Sequence, residues 1–115
     1  MLSGTLFFPL KPGQNWVGSP VASAEPPAIQ LTGVMIEDKH CCVELFEDNL
    51  RLIANAETYV NGQLITSNGV NLRHGDRIII GGTHYFHLYN PNDSQFLGTQ
   101  ITNNKVIYLI SNRYD

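Results

Sequence analysis

The residues that could do chemistry are four histidines (His40, His74, His84, His87), two adjacent cysteines (Cys41, Cys42) and the acid pair Glu37-Asp38. Metal binding would need several of them converging on one point. His84-Tyr85-Phe86-His87 has a three-residue step, which on a strand sends the two rings to opposite faces. His40-Cys41-Cys42 has no second half at zinc-finger spacing. A disulfide between strand neighbours is geometrically unfavourable, because Cys41 and Cys42 would also point to opposite faces. A reducing, cytoplasmic setting is the simpler reading. A Cys–His nucleophile needs a base and an orienting group, and nothing in the sequence marks either, so a buried strand thiol is expected. Gly81-Gly82 ends one apolar run and starts the next, so it opens no phosphate-binding helix. Glu37 and Asp38 sit beside Lys39 in a polar turn and read as a solvated loop. The expectation is a non-enzyme without metal or cofactor.

The elements that would position these residues are short and β-rich. The 115 residues fit one domain with a real core. Seven Lys and Arg against ten Asp and Glu give a net charge of −3. That balance provides no general attraction for nucleic acid or anionic lipid. No apolar run approaches the ~20 residues that span a bilayer. Residues 6–10 are too short for a signal-peptide core and lack a basic segment before them. The sequon Asn92-Asp93-Ser94 carries little meaning without a secretory signal. Strands are expected over residues 5–10, 15–17, 29–31, 41–45, 50–53, 58–60, 77–80, 85–89 and 106–110. Turn residues separate them: Lys11-Pro12-Gly13, Asp48-Asn49, Asn61-Gly62, Asn68-Gly69, His74-Gly75-Asp76 and Gly81-Gly82. No window makes an amphipathic helix, and many short strands with regular turns indicate an all-β sandwich. Residues 19–27 read as a proline-rich loop. The stretch 90–104 is polar and aperiodic, and 105–110 is β-branched and aromatic again.

The order and spacing of several motifs add to this. Gly33, His40-Cys41, Thr58-Tyr59-Val60-Asn61-Gly62, the run Leu72-Arg73-His74-Gly75-Asp76-Arg77-Ile78-Ile79-Ile80-Gly81 and His84-Tyr85-Phe86 follow one another within residues 29–91. Together they resemble a forkhead-associated (FHA) domain, most similar to those of third-class (kinesin-3) kinesins. Afadin-like FHA domains are a second relative through Glu57-Thr58-Tyr59-Val60, although the Arg73–Arg77 run favours kinesin. The resemblance implies an FHA-type, SMAD/FHA-like β-sandwich of two twisted, mostly antiparallel sheets over residues 1–91. Residues 92–115 are then a C-terminal extension, either an added edge strand or a linker. It also implies that Gly18, His40, Thr58, Asn61 and Gly62 are loop scaffold, with His40 bracing the loop that carries Gly18 and Asn61 helping to hold the rim.

FHA domains typically read phosphothreonine through loops at one end of the sandwich. A phosphate dianion needs cationic or dense N–H and O–H donors. This chain departs from the pattern at several positions. The usual arginine after Gly18 is Ser19, the usual serine before His40 is Glu37, and the peptide-facing Asn-Gly pair is Ala56-Glu57. Asn55 is a substitute amide donor, and Lys39 and Arg51 are the nearby cations. Losing one charge-assisted bond costs about 1.5–3 kcal/mol, and two carboxylates would add repulsion. The pocket is therefore read as degenerate. The leading expectation is a non-catalytic interaction module of a kinesin-like microtubule motor, cytoplasmic and cytoskeleton-associated through its parent. It would serve dimerisation, autoinhibition or cargo and adaptor binding, with a protein partner, a homodimer left open, and neither nucleic acid nor membrane insertion. Trp16, the edge near Phe7-Phe8 and the terminal strand are candidate contacts. The alternatives are a phosphothreonine-reading signalling module and an afadin-like junctional scaffold.

Overall fold

A computed structural model describes residues 4–20, 25–47, 49–66, 68–93 and 106–113. Eleven strands follow in chain order: β1 (Gly4–Pro9), β2 (Gly13–Gly18), β3 (Ile29–Gln30), β4 (Cys41–Phe46), β5 (Asn49–Ala54), β6 (Thr58–Val60), β7 (Gln63–Leu64), β8 (Val70–Asn71), β9 (Arg77–Ile80), β10 (His84–Tyr89) and β11 (Tyr108–Arg113). They form a six-stranded sheet ordered β1-β11-β10-β9-β6-β7 and a five-stranded sheet ordered β3-β2-β4-β5-β8. Among the described residues every pairing is antiparallel except the parallel β2–β3 contact. The all-β sandwich is as the sequence predicts. Two two-residue strands, β7 and β8, are additional, and the last strand lies further along the chain than residues 106–110.

Period-two patterning explains the layers. Along β5, Leu50, Leu52 and Ala54 face inward while Arg51 faces out; along β9, Ile78 and Ile80 are buried and Arg77 is exposed. Phe86 and Leu88 of β10 meet them from the neighbouring strand, and Val17, Cys41, Val43 and Leu45 close the core from the second sheet. Fully burying each of these aliphatic or aromatic side chains contributes roughly 1.5–3 kcal/mol against exposure.

Two turns set the register. Asn15 is buried at the foot of the β1–β2 turn, where its Oδ1 accepts the Lys11 N–H and its Nδ2 donates to the Lys11 and Val43 carbonyls. Asn61 and Gly62 hold φ of 51° and 85°, the pair of positive values that a tight two-residue hairpin between β6 and β7 requires.

The extension at residues 92–115 contributes β11, an interior strand rather than an added edge. It is bonded to β10 on one side and β1 on the other. Phe8, Leu109 and Leu88 lie in one row across β1, β11 and β10, and Leu109 and Ile107 belong to the buried core. An edge position would leave Leu109 without its neighbour from β1.

Candidate functional site

Gly18 ends β2 where the backbone of the β3–β4 loop crosses it. A Cβ at Gly18 would stand 1.9 Å from the Asp38 carbonyl oxygen and 2.8 Å from that of Glu37. Only glycine lets the two segments approach this closely. The contact is fixed by the next residue, whose amide donates to the Glu37 carbonyl at 2.9 Å. That residue is Ser19, which is buried.

His40 joins the β3–β4 and β5–β6 loops to the end of β2. Its ring is fully buried, with Nδ1 accepting the Glu37 N–H at 3.1 Å and Nε2 lying 2.6 Å from the Glu57 carbonyl. Since Nδ1 accepts, a ring hydrogen on Nε2 donates to the Glu57 carbonyl. The His40 main chain works in parallel. Its N–H donates to Val17, and its carbonyl accepts the amides of Asn55 and Ala56. Thr58, also fully buried, donates from Oγ1 to the Ala56 carbonyl at 3.0 Å. The Gly81 amide donates to the same Glu57 carbonyl, which brings the β9–β10 turn to this end of the sandwich.

Ser19, Glu37, Lys39, Asn55, Ala56 and Glu57 are therefore brought together at one end. The Asn55 Nδ2 donates to the Lys39 carbonyl at 3.1 Å, and the Lys39 ammonium lies 5.3 Å from the Trp16 ring centroid. Both potential phosphate donors thus face neighbouring groups. The Tyr59 hydroxyl donates to the Glu57 carboxylate at 2.8 Å, and that carboxylate pushes the phenol pKa upward. The β2–β3, β3–β4 and β5–β6 loops carry Glu25, Glu37, Asp38 and Glu57 against Lys39 alone. This end of the molecule is anionic.

Asn61 and Gly62 lie elsewhere. Asn61 Nδ2 donates to Asp76 Oδ1 and its Oδ1 accepts the Arg77 N–H, each at 3.0 Å. Asn61 consequently ties the β6–β7 hairpin to the β8–β9 turn, because the length of β6 separates it from Thr58. The Arg51 guanidinium bonds the Asn68 carbonyl, away from the rim.

The remaining histidines and the cysteines serve the scaffold or the surface. His84 Nε2 contacts the Thr32 carbonyl at 2.8 Å, His74 Nδ1 accepts the Asn90 N–H, and His87 lies on the outer face of its sheet. Burial pushes the Cys41 thiol up to about 12 and the Cys42 thiol up to about 11. Neither is poised as a nucleophile.

One polar cluster escaped sequence reasoning. Asp93 is buried and binds the Arg73 guanidinium through both oxygens, at 2.9 and 3.0 Å, while also accepting the His74 N–H at 3.0 Å. The sole signal was the acid in the sequon Asn92-Asp93-Ser94, within a stretch read as aperiodic.

With this geometry in place, comparison with known proteins is direct. The FHA domain family matches residues 16–81, more than half of the chain. The chain belongs to the FHA domain family. Kinesin-like protein KIF14 of Homo sapiens is 43% identical over 98 residues, covering 82% of this chain and 6% of that protein. Kinesin-like protein KIF13B of Homo sapiens is 35% identical over 74 residues, 62% of this chain and 4% of that protein. The chain thus spans only a small part of the kinesin-like relatives it matches. Among solved structures, the FhaA FHA domain complexed with the intracellular domain of Rv3910 superposes with a TM-score of 0.57 at 13% identity, covering 93% of this chain and 99% of that one. An FHA structure from an analysis of phosphothreonine-dependent interactions superposes with a TM-score of 0.56 at 15% identity, covering 99% and 98%. At these identities the agreement is one of fold. As an FHA domain, the chain is a protein-interaction module.

Proposed function

We propose that this FHA domain is the non-catalytic interaction module of a kinesin-like microtubule motor, serving dimerisation, autoinhibition or cargo and adaptor binding rather than phosphothreonine reading. The motor parentage rests on the similarity to kinesin-like proteins. A cytoplasmic, cytoskeleton-associated location follows from the same parentage, with contacts made to a protein partner.

The observation that carries the degenerate-pocket reading is the charge of the rim. Glu37, Asp38 and Glu57 are exposed around the buried Ser19, and the one rim ammonium, Lys39, stacks on Trp16. A phosphate dianion approaching this end meets carboxylates and lacks a bidentate guanidinium. The alternative, a phosphopeptide reader with substitute donors, would rely on Asn55 and Lys39. Asn55 already spends an N–H on a main-chain carbonyl. An afadin-like parent would be recognised by junctional-scaffold sequence flanking the domain in place of a motor.

A phosphothreonine peptide library read by fluorescence anisotropy tests the proposal. No phosphate-dependent binding is expected from the parent chain up to millimolar peptide. The quadruple change Ser19→Arg, Glu37→Ser, Ala56→Asn and Glu57→Gly is expected to create phosphate-dependent binding. Phosphate-dependent binding by the unmodified chain that disappears in Ser19→Glu would refute the degenerate rim.

A further inference from the structure

The edge of the six-stranded sheet formed by β1 has the properties of a self-pairing interface. Among the described residues, β11 is the only strand paired with β1. The sequence Gly-Thr-Leu-Phe-Phe-Pro carries no charge, and its register against β11 runs without a bulge from Gly4↔Arg113 to Pro9↔Tyr108. Exposed edges in soluble proteins are usually blunted by a lysine, a bulge or a covering segment. Among the described residues no segment covers this edge, and Leu6 is 39% and Phe7 57% exposed.

The backbone direction can be read from one bond. The Leu10 amide donates to the Ile107 carbonyl at 2.8 Å, in register with the ladder that follows. Alternation along an antiparallel pair then turns Phe8 and Leu6 toward β11, and Pro9 and Phe7 away from it. Phe7 thus directs both its N–H and its C=O outward. Pro9 offers a carbonyl but no N–H.

We infer that β1 pairs antiparallel with β1 of a second copy of this chain about a twofold axis passing beside Phe7. Three features select a second copy over a foreign strand. A residue presenting both a donor and an acceptor satisfies itself across such an axis, with each Phe7 N–H donating to the carbonyl of the partner's Phe7. Absence of charge along β1 removes the like-charge repulsion that normally separates identical edges. The Phe7 ring, held edge-on to Tyr108 at 5.8 Å, gains the ring of the partner's Phe7 as a cross-strand neighbour. A six-residue edge buries less than the ~800 Å² per partner of a standard interface, so the dimer is reversible, with a Kd on the order of 100 µM. This deepens the reading of the chain as an interaction module, yet it involves none of the rim residues, so phosphopeptide binding and dimerisation can fail separately.

Sedimentation velocity on the 115-residue chain between 5 and 500 µM tests it. The mass is expected to rise from 12.8 kDa toward twice that value with concentration. Phe7→Lys and Phe7→Glu are each expected to stay monomeric, while their equimolar mixture associates. A wild-type chain that remains monomeric at 500 µM, a Phe7→Lys protein that dimerises like the parent, or a charge-swapped mixture that does not associate would each overturn the Phe7-centred pair. Should either variant fail to fold, hydrogen exchange on the wild type decides. Protection of the Phe7 amide must grow about threefold over that concentration range, and exchange independent of concentration refutes the pairing.

Discussion

Replacing His40 with alanine removes one buried ring that fastens two loops. The substitution leaves the Glu37 N–H without its acceptor at Nδ1, whereas the Glu57 carbonyl keeps the Gly81 amide as a partner. An orphaned buried donor costs about 1–3 kcal/mol. The void left by the ring adds roughly 1–2 kcal/mol, less than for a rigid core site because the loops can partly collapse. The sum, about 2–5 kcal/mol, is a large share of the roughly 5–15 kcal/mol that stabilises a typical domain. At about 4–6 °C per kcal/mol, Tm should fall by roughly 8–30 °C. His40→Asn, which returns an acceptor near the Nδ1 position, should recover part of the loss. Urea denaturation gives the free energy, and native-state hydrogen exchange locates it. The amides of Ser19, Glu37, Asn55 and Ala56 should open far more readily, while Leu52 should follow global stability alone. A His40→Ala protein within 1 kcal/mol of the parent, or one whose loop amides exchange no faster, would refute the role assigned to this ring.

Asp93→Ala should destabilise by about 2–3 kcal/mol in urea titrations, because it strips a buried acceptor from the His74 N–H as well as the charge from Arg73. Arg73→Ala should destabilise in the same direction but less, since Asp93 loses its guanidinium partner yet keeps the His74 N–H. Both thiols sit above their ordinary value near 9, at about 12 for Cys41 and about 11 for Cys42. Unfolding therefore releases thiol protons at alkaline pH, so stability is fully present below pH ~9 and declines as pH rises toward 11–12. Melting curves of Cys41→Ala against the parent should show a shallower alkaline decline, and iodoacetamide should label neither thiol in the native protein at pH 7.5. Truncation after Asp93 removes β11 and with it the described strand partner of β1. A cooperative thermal transition should be lost in circular dichroism; an unchanged Tm would contradict the placement of β11.

Much of the fold was legible because its strands alternate. Leu50, Leu52 and Ala54, or Ile78 and Ile80, mark an inner face locally, and turn residues such as Asn61-Gly62 bound the strands. The two-residue strands β7 and β8 carry too few side chains to show a period, so no pattern reveals them. The position of β11 depends on partners roughly twenty and a hundred residues away, which no window detects. The rim residues were legible only as a family resemblance. Their spacing says nothing of how His40 reaches both Glu37 and Glu57, and the direction of Lys39 toward Trp16 is a tertiary fact. The family resemblance implies that Asn61 helps to hold the rim, whereas its side-chain bonds run to Asp76 and Arg77. The strand between it and Thr58 carries it there. Asp93 was missed since a single acid in a polar stretch looks solvated until the fold buries it.

The pairing of Gly4 with Arg113 sets two distant parts of the chain side by side. A polypeptide continuing beyond both would enter and leave the sandwich at the same corner, like a bead on a loop. Tension applied across that corner would act along the hydrogen bonds between β1 and β11, loading them one after another. The strands would unzip at low force rather than shear together. Held under load in a longer protein, this domain would yield first at the seam joining β1 to β11, and it would close again when the tension ceased.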